Sequence, residues 1–78
     1  AEMLNREILQ TVEAAVAKLP EDLRKAITLR EMEGLSYEEI AQIMDCPIGT
    51  VRSRIFRARE VIAKDLRPLL DTSEDQRW

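Results

Sequence analysis

Apolar residues recur at alternating spacings of three and four in the stretch from Cys46 to Lys64, which predicts a helix with one buried face. The residues opposite that stripe are mostly polar or basic, and the face they form is bordered on both sides by arginine. The stripe consists of Ile48, Val51, Ile55, Ala58 and Ile62, with Leu66 and Leu69 continuing it. The opposite face consists of Gly49, Ser53, Phe56, Arg57 and Glu60, bordered by Arg52 and Arg59 on one side and by Thr50 and Arg54 on the other.

A capping box predicts where the preceding helix begins. In Ser36-Tyr37-Glu38-Glu39, the Ser36 hydroxyl can accept from the Glu39 N–H while the Glu39 carboxylate accepts from the Ser36 N–H. Leu35 and Ile40 occupy the two positions of a hydrophobic staple. Gly34 suits the left-handed C′ position at the end of an earlier helix. We therefore expect a helix from Ser36 to Met44.

The segment Asp45-Cys46-Pro47 interrupts this pattern. Pro47 cannot continue a helix, but it fits the first turn of the next one. A short helix, a break of about three residues and a longer basic helix is the arrangement of a helix-turn-helix, in which the second helix enters the major groove of DNA.

Two more helices are predicted upstream. The first carries an apolar stripe from Leu4 to Leu19, and Pro20 fits position N1 of the second. We expect Pro68 to end the fourth helix and residues 71–78 to form a polar tail, leaving residues 1–70 as one domain. The predicted fold is all-α, with four helices, a helix-turn-helix and no wing. The buried side of the second helix is predicted to hold Leu23, Ala26, Ile27, Leu29 and Met32, and the long fourth helix is predicted to pack on Leu23, Ile27, Ile40 and Ile43.

The basic face of the fourth helix has the chemistry of a nucleic-acid contact. Arginine can bind guanine through two parallel hydrogen bonds or contact phosphate, serine can bond to either, and an apolar ring can meet a thymine methyl group. A solvated basic face is the alternative. Arg30 likewise has two possible roles, because it can reach a phosphate or pair within its helix with Asp22, Glu31 or Glu33.

The run GLSYEEIAQIMDCPIGTVRSRIFRARE resembles region 4 of bacterial sigma factors, specifically the extracytoplasmic-function group of the sigma-E type, and LPEDLRKAITLRE upstream resembles the same family. The resemblance covers roughly residues 4–66, and TVRSRIFRAR is its most specific part. Asp45 departs from many helix-turn-helix repressors, which have glycine at that position of the turn.

This resemblance implies binding to the promoter −35 element. It also implies that an intact protein carries an N-terminal region for the −10 element, and that this chain is a fragment. The implied partners are promoter DNA, the flap tip of core RNA polymerase and an anti-sigma factor, with the domain itself monomeric and cytoplasmic. The implied base-reading residues are Arg52, Ser53, Phe56 and Arg57. The implied phosphate contacts are Arg30, Ser36, Tyr37, Thr50, Arg54 and Arg59.

Charge and composition fit a DNA-binding domain better than an enzyme. The 78-residue chain has a net charge of −3, yet residues 47–64 carry five basic residues against one glutamate, so the remainder carries the acidic excess. There is no histidine and only one cysteine, Cys46, so we expect no enzymatic site, metal or cofactor. The lone cysteine is consistent with a reducing cytoplasm. No apolar run is long enough to span a membrane, and we expect no signal peptide.

Two other functions remain possible from the residues. The four-helix output domain of two-component and quorum-sensing activators also has a Glu-Ile-Ala segment followed by Thr-Val and a basic helix. That class usually continues with Lys-x-His and dimerises, whereas this chain has Arg52-Ser53-Arg54. A helical bundle whose basic face binds an acidic protein is the second. Oligomeric state separates the first alternative from a sigma region, and a salt series on duplex DNA separates the second.

Overall fold

Four helices make up the domain in the computed structural model, which describes the backbone of residues 2–75 and the side chains of residues 5–69. In chain order they are α1 (Glu2–Lys18), α2 (Glu21–Glu31), α3 (Tyr37–Met44) and α4 (Ile48–Asp75). The part of the chain that the structure describes contains no strand, so the all-α prediction is confirmed. Helices α1, α2 and α3 all pack on α4, and α2 also packs on α3.

The core lies on the inward face of α4, as the apolar stripe predicts. Val51, Ile55 and Ala58 are almost completely buried, and they meet Ile27 of α2 and Ile40 of α3 in one cluster. Two other members are alanines, whose small side chains let neighbouring helices pack closely. The remaining buried residues of the cluster are Leu19, Ala26 and Ala41, with Leu23, Leu29, Leu35, Tyr37, Met44, Cys46 and Ile62 partly buried against it.

The predictions for α2 need two corrections. Pro20 is the N-cap of α2 rather than its first helical residue, because its ψ of 151° is extended and the helix begins at Glu21. Met32 is 79% exposed rather than buried. It is the C-cap residue of α2, at the end of that helix.

The predicted cap of α3 is present in full. The Glu39 N–H donates to Ser36 Oγ at 3.1 Å, and the Ser36 N–H donates to Glu39 Oε1 at 2.9 Å. Gly34 has the expected left-handed backbone, with φ of 69°, but it follows C-cap Met32 by two residues rather than one. The N–H of Leu35, just after it, donates to the Leu29 carbonyl at 3.1 Å and closes the connection from α2 to α3.

Two predicted core residues lie on the surface instead. Ile43 is 50% exposed and Ile48 is 39% exposed. The short α3 buries only Ile40 and Ala41, so its contact with the rest of the domain is too narrow to reach Ile43. Ile48 is the first residue of α4, at the edge of the packed region.

Helix α4 is longer than predicted. It continues past Pro68 to Asp75, so Pro68 lies inside the helix rather than ending it. Proline lacks the N–H that would bond to the Lys64 carbonyl, but a helix of 28 residues can lose that one bond and continue. Residues 71–75 of the predicted polar tail are therefore helical, and 76–78 lie outside the described residues. No helix within residues 2–75 is long and apolar enough to cross a membrane.

Candidate nucleic-acid interface

The turn between α3 and α4 fixes the direction of α4. Asp45, the C-cap of α3, adopts a left-handed conformation with φ of 53° and ψ of 54°. The Cys46 N–H then donates to the Ala41 carbonyl at 3.0 Å, and the Pro47 carbonyl accepts from the Thr50 N–H at 3.0 Å. A left-handed residue is what lets the chain reverse in so few residues, and aspartate tolerates this conformation better than most residues. Asp45 thus takes the backbone geometry for which glycine is commonly used.

Beyond this turn, the outward face of α4 and its Arg52 border present the four predicted base-reading side chains to solvent. Phe56 is 63% exposed, an unusual position for an aromatic ring in a small domain. Among the described side chains, neither Arg52 nor Arg57 has a carboxylate within ion-pair distance. The structure therefore places all the predicted base-reading residues together on one exposed face of α4: Arg52, Ser53, Phe56 and Arg57.

A second group of predicted contacts meets at the N-terminus of α3. The Arg30 guanidinium lies over the Tyr37 ring at 4.9 Å from its centroid, and Arg52 lies 5.8 Å from the same ring. Arg30 Nη1 also donates to the Leu35 carbonyl at 2.8 Å. Among the described residues Arg30 has no ion pair, so the intrahelical pairing considered above does not occur. Contact of one ring with arginines from two helices depends on tertiary packing, and no pattern in the sequence indicates it.

Glu39, which forms the capping box with Ser36, adds a negative charge beside this group. The pKa of the Glu39 carboxyl is lowered, chiefly because its carboxylate accepts the Ser36 N–H and also because of its contact with the Ser36 hydroxyl. Ser36 Oγ accepts the hydrogen bond from the Glu39 N–H, so the serine side chain caps the start of α3.

Two of the predicted phosphate contacts already have carboxylate partners within the domain. Arg54 Nε lies 3.5 Å from Asp22 Oδ2, and Arg59 Nη2 lies 2.6 Å from Glu31 Oε1. The hydrogen bond from Arg59 to Glu31 raises the pKa of the guanidinium, which is charged at any physiological pH. Arg54 Nη1 is also 3.8 Å from the sulfur of Cys46. Both acidic partners belong to α2, and no local sequence pattern indicates either pair, because their members are far apart in the chain.

A surface hollow of about 430 Å³ adjoins the Arg54 border. Asp22 and Leu23 of α2 form one wall, and α4 forms the other. Thr50 is half-buried at this border, and Ser53 and Arg57 extend from it toward the outward face. The hollow thus joins two predicted phosphate contacts to two predicted base-reading residues. The α4 residues that line it are Gly49, Thr50, Ser53, Arg54 and Arg57.

Comparison with known proteins agrees with this geometry. The family model described as "Sigma-70, region 4" matches residues 9–62. The chain is 66% identical over 68 residues to the ECF RNA polymerase sigma-E factors of Escherichia coli strain K12 and Salmonella typhimurium strain LT2, covering 87% of this chain and 36% of each relative. It is 68% identical over 68 residues to the RNA polymerase sigma-H factor of Pseudomonas aeruginosa, again covering 87% of this chain but 35% of the relative. The chain thus spans about a third of the length of these relatives. It belongs to the sigma-70 region 4 family.

Proposed function

We propose that this chain recognises the promoter −35 element as part of a sigma factor that directs RNA polymerase to initiate transcription. The observation that carries the proposal is the exposed face of α4, placed directly after a three-residue turn from α3. An α-helix fits the major groove of B-DNA, and the groove is where each base pair presents a distinct pattern of donors and acceptors. Membership of the sigma-70 region 4 family supports the same function.

In this proposal the outward face of α4 reads the bases. Arg52 and Arg57 have no carboxylate partner among the described side chains, so their guanidinium groups can bind guanine without first breaking an ion pair. The Ser53 hydroxyl lies between them on the same face, and the Phe56 ring is placed to meet a thymine methyl group or a sugar.

The phosphate contacts flank this face. Thr50 and Arg54 are on one border, and Arg59 is on the other. The Ser36–Tyr37 start of α3 adds backbone N–H groups at the positive end of a helix dipole. Arg30 lies beside it, stacked on Tyr37.

The chain is further proposed to bind core RNA polymerase and an anti-sigma factor, as a monomeric cytoplasmic domain. Support for a protein partner comes from a mostly apolar groove of about 350 Å³ between α1, α2 and α4, with the exposed Met32 at its edge. We expect Met32→Asp to weaken binding to the polymerase flap tip without changing DNA affinity. The groove is lined by Val12, Glu13, Val16, Ala17, Ile27, Thr28, Glu31, Met32 and Ile62.

Selection of bound duplexes from a random pool tests the proposal. We expect the selected sequences to share one short asymmetric element, because a monomeric domain reads a single site. NMR shifts on titration with the selected duplex should concentrate on residues of α4 and the start of α3. A paired, symmetric element would favour the dimeric activator instead. Binding that is indifferent to base sequence would contradict direct reading by α4.

A further inference from the structure

Helix α2 holds a carboxylate at each border of the DNA-facing surface. Asp22 is in its first turn and Glu31 is its last residue, about 13 Å apart along the helix. Because α2 packs across the inward side of α4, one end reaches Arg54 and the other reaches Arg59. Two of the arginines that flank the outward face, one on each border, are therefore paired with the same supporting helix.

These ion pairs are accessible to competing anions. The side chains of Arg59 and Glu31 are 51% and 52% exposed, and Asp22 is 51% exposed beside the more buried Arg54. Exposed pairs of this kind are weak and are screened by salt, because water solvates both charges. A DNA phosphate brought to either border offers the guanidinium an alternative anion of the same charge and similar geometry.

We infer that Asp22 and Glu31 compete with DNA phosphate for Arg54 and Arg59, and so limit the part of DNA affinity that does not depend on sequence. The inference rests on the proposed function only in taking duplex DNA as the ligand. To contact phosphate, each arginine either leaves its carboxylate or shares its donors with both anions. The carboxylate also repels the approaching phosphate. Arg52 and Arg57 have no carboxylate to displace among the described side chains, so this competition is confined to the flanking arginines.

The test is Glu31→Gln in the 78-residue chain, measured by fluorescence anisotropy on two labelled duplexes, one carrying the selected element and one a scrambled sequence. Glutamine keeps the size of the side chain and can still accept from Arg59, but it removes the charge. We expect affinity for both duplexes to rise about two- to fivefold at low salt. The slope of log affinity against log salt should steepen by about 0.9, the value of one added phosphate contact.

Glu33→Gln is the matched control, because it removes the same charge from a nearby exposed residue that has no ion pair among the described residues. Its effect should be clearly smaller. In an Arg59→Ala background, Glu31→Gln should have no effect beyond that of the control. Asp22→Asn should repeat the result through Arg54, since asparagine retains the acceptor that caps the Leu23 N–H.

Unchanged or weaker binding by Glu31→Gln would overturn the inference, since a carboxylate that merely orients Arg59 would help DNA binding. An increase equal to that of Glu33→Gln, or one that persists without Arg59, would overturn it as well, because simple net charge would then explain it. Equal affinity of the wild-type chain for both duplexes contradicts only the proposed −35 recognition, because the scrambled duplex still reports the competition.

Discussion

The inward and outward faces of α4 use the same stretch of helix for different purposes. Val51 and Ile55 are 0% and 1% exposed, whereas Phe56, next to Ile55 in the chain, is 63% exposed. The inward face packs against the other three helices, whereas on the outward side Arg52 lies over Tyr37 and neither Arg52 nor Arg57 has a carboxylate partner among the described side chains. Substitutions on one face should therefore change folding, and substitutions on the other should change binding.

Two arginines at the borders between these faces differ from Arg52 and Arg57 in their partners. Arg54 and Arg59 are charged like Arg52 and Arg57, but each has a carboxylate from α2 beside it. Each of these two arginines can therefore bind a ligand only in competition with its carboxylate partner. The nearness of an α2 carboxylate, rather than residue type, thus separates the two paired arginines from Arg52 and Arg57.

Ile55→Ala gives the largest expected effect, because it removes buried methyl and methylene groups at the centre of the core. We expect a loss of about 2–4 kcal/mol in the free energy of unfolding, measured by urea denaturation. That is a large share of the stability of a domain this small. Val51→Ala should also destabilise strongly. The control is Val61→Ala, where the side chain is 38% exposed and the loss should be much smaller. A neutral Ile55→Ala would mean that this face does not hold the core in solution.

Arg57→Ala should weaken DNA binding by the outward face without affecting the fold. We expect binding to the selected −35 duplex to weaken by about 1–3 kcal/mol, with discrimination lost at one or two base pairs. Anisotropy titrations against single-base variants of the duplex measure both effects. Arg54→Ala is the matched comparison, and it should weaken all sequences alike while reducing the salt slope by about 1. Loss of discrimination in Arg54→Ala, with none in Arg57→Ala, would reverse the assignment of the two residues.

Phe56→Ala sharpens the comparison, because Phe56 and Ile55 are adjacent in sequence but lie on opposite faces. Thermal melting should show stability within about 0.5 kcal/mol of wild type, as expected for an exposed side chain. DNA affinity should nevertheless fall, since the ring loses its contact in the groove. We also expect weaker binding to the proposed anti-sigma factor, because an exposed aromatic ring is the kind of side chain that anchors a protein interface. A large loss of stability would place the ring in the core and remove it from the proposed base-reading residues.

Glu39→Gln should give the smallest effect, at the start of α3 and away from both faces of α4. The pKa of Glu39 is lowered from its ordinary value of 4.5, so its charge stabilises the folded chain above that pH. This stabilisation is lost as the pH falls through the lower pKa of the folded state. The stability advantage of wild type over Glu39→Gln should therefore disappear in acid, as followed by urea denaturation across a pH series. If the stability advantage of wild type were independent of pH, it would come from the shape of the cap rather than from the charge of Glu39.

Local sequence signals predicted the presence of each helix better than they predicted where each helix begins and ends. The capping box at Ser36 and Glu39 is confirmed because its hydrogen bonds form between residues three apart. The prediction that Pro68 ends α4 was wrong. A proline often marks a helix end, but a long helix can continue with one backbone hydrogen bond missing. Met32 and Ile43 fit apolar stripes but are exposed, since periodicity indicates the direction of a side chain and not how far the neighbouring helices extend.

The sequence by itself determined the four helices, the turn between α3 and α4, and the separation of α4 into an apolar and a basic face. These features depend on spacing, capping and proline chemistry, all of which act over a few residues. Only the tertiary structure decided which charges on the basic face are free. Arg59 and Glu31 are 28 residues apart, and Arg52 reaches Tyr37 from another helix, so their contacts exist only once α2, α3 and α4 have packed together.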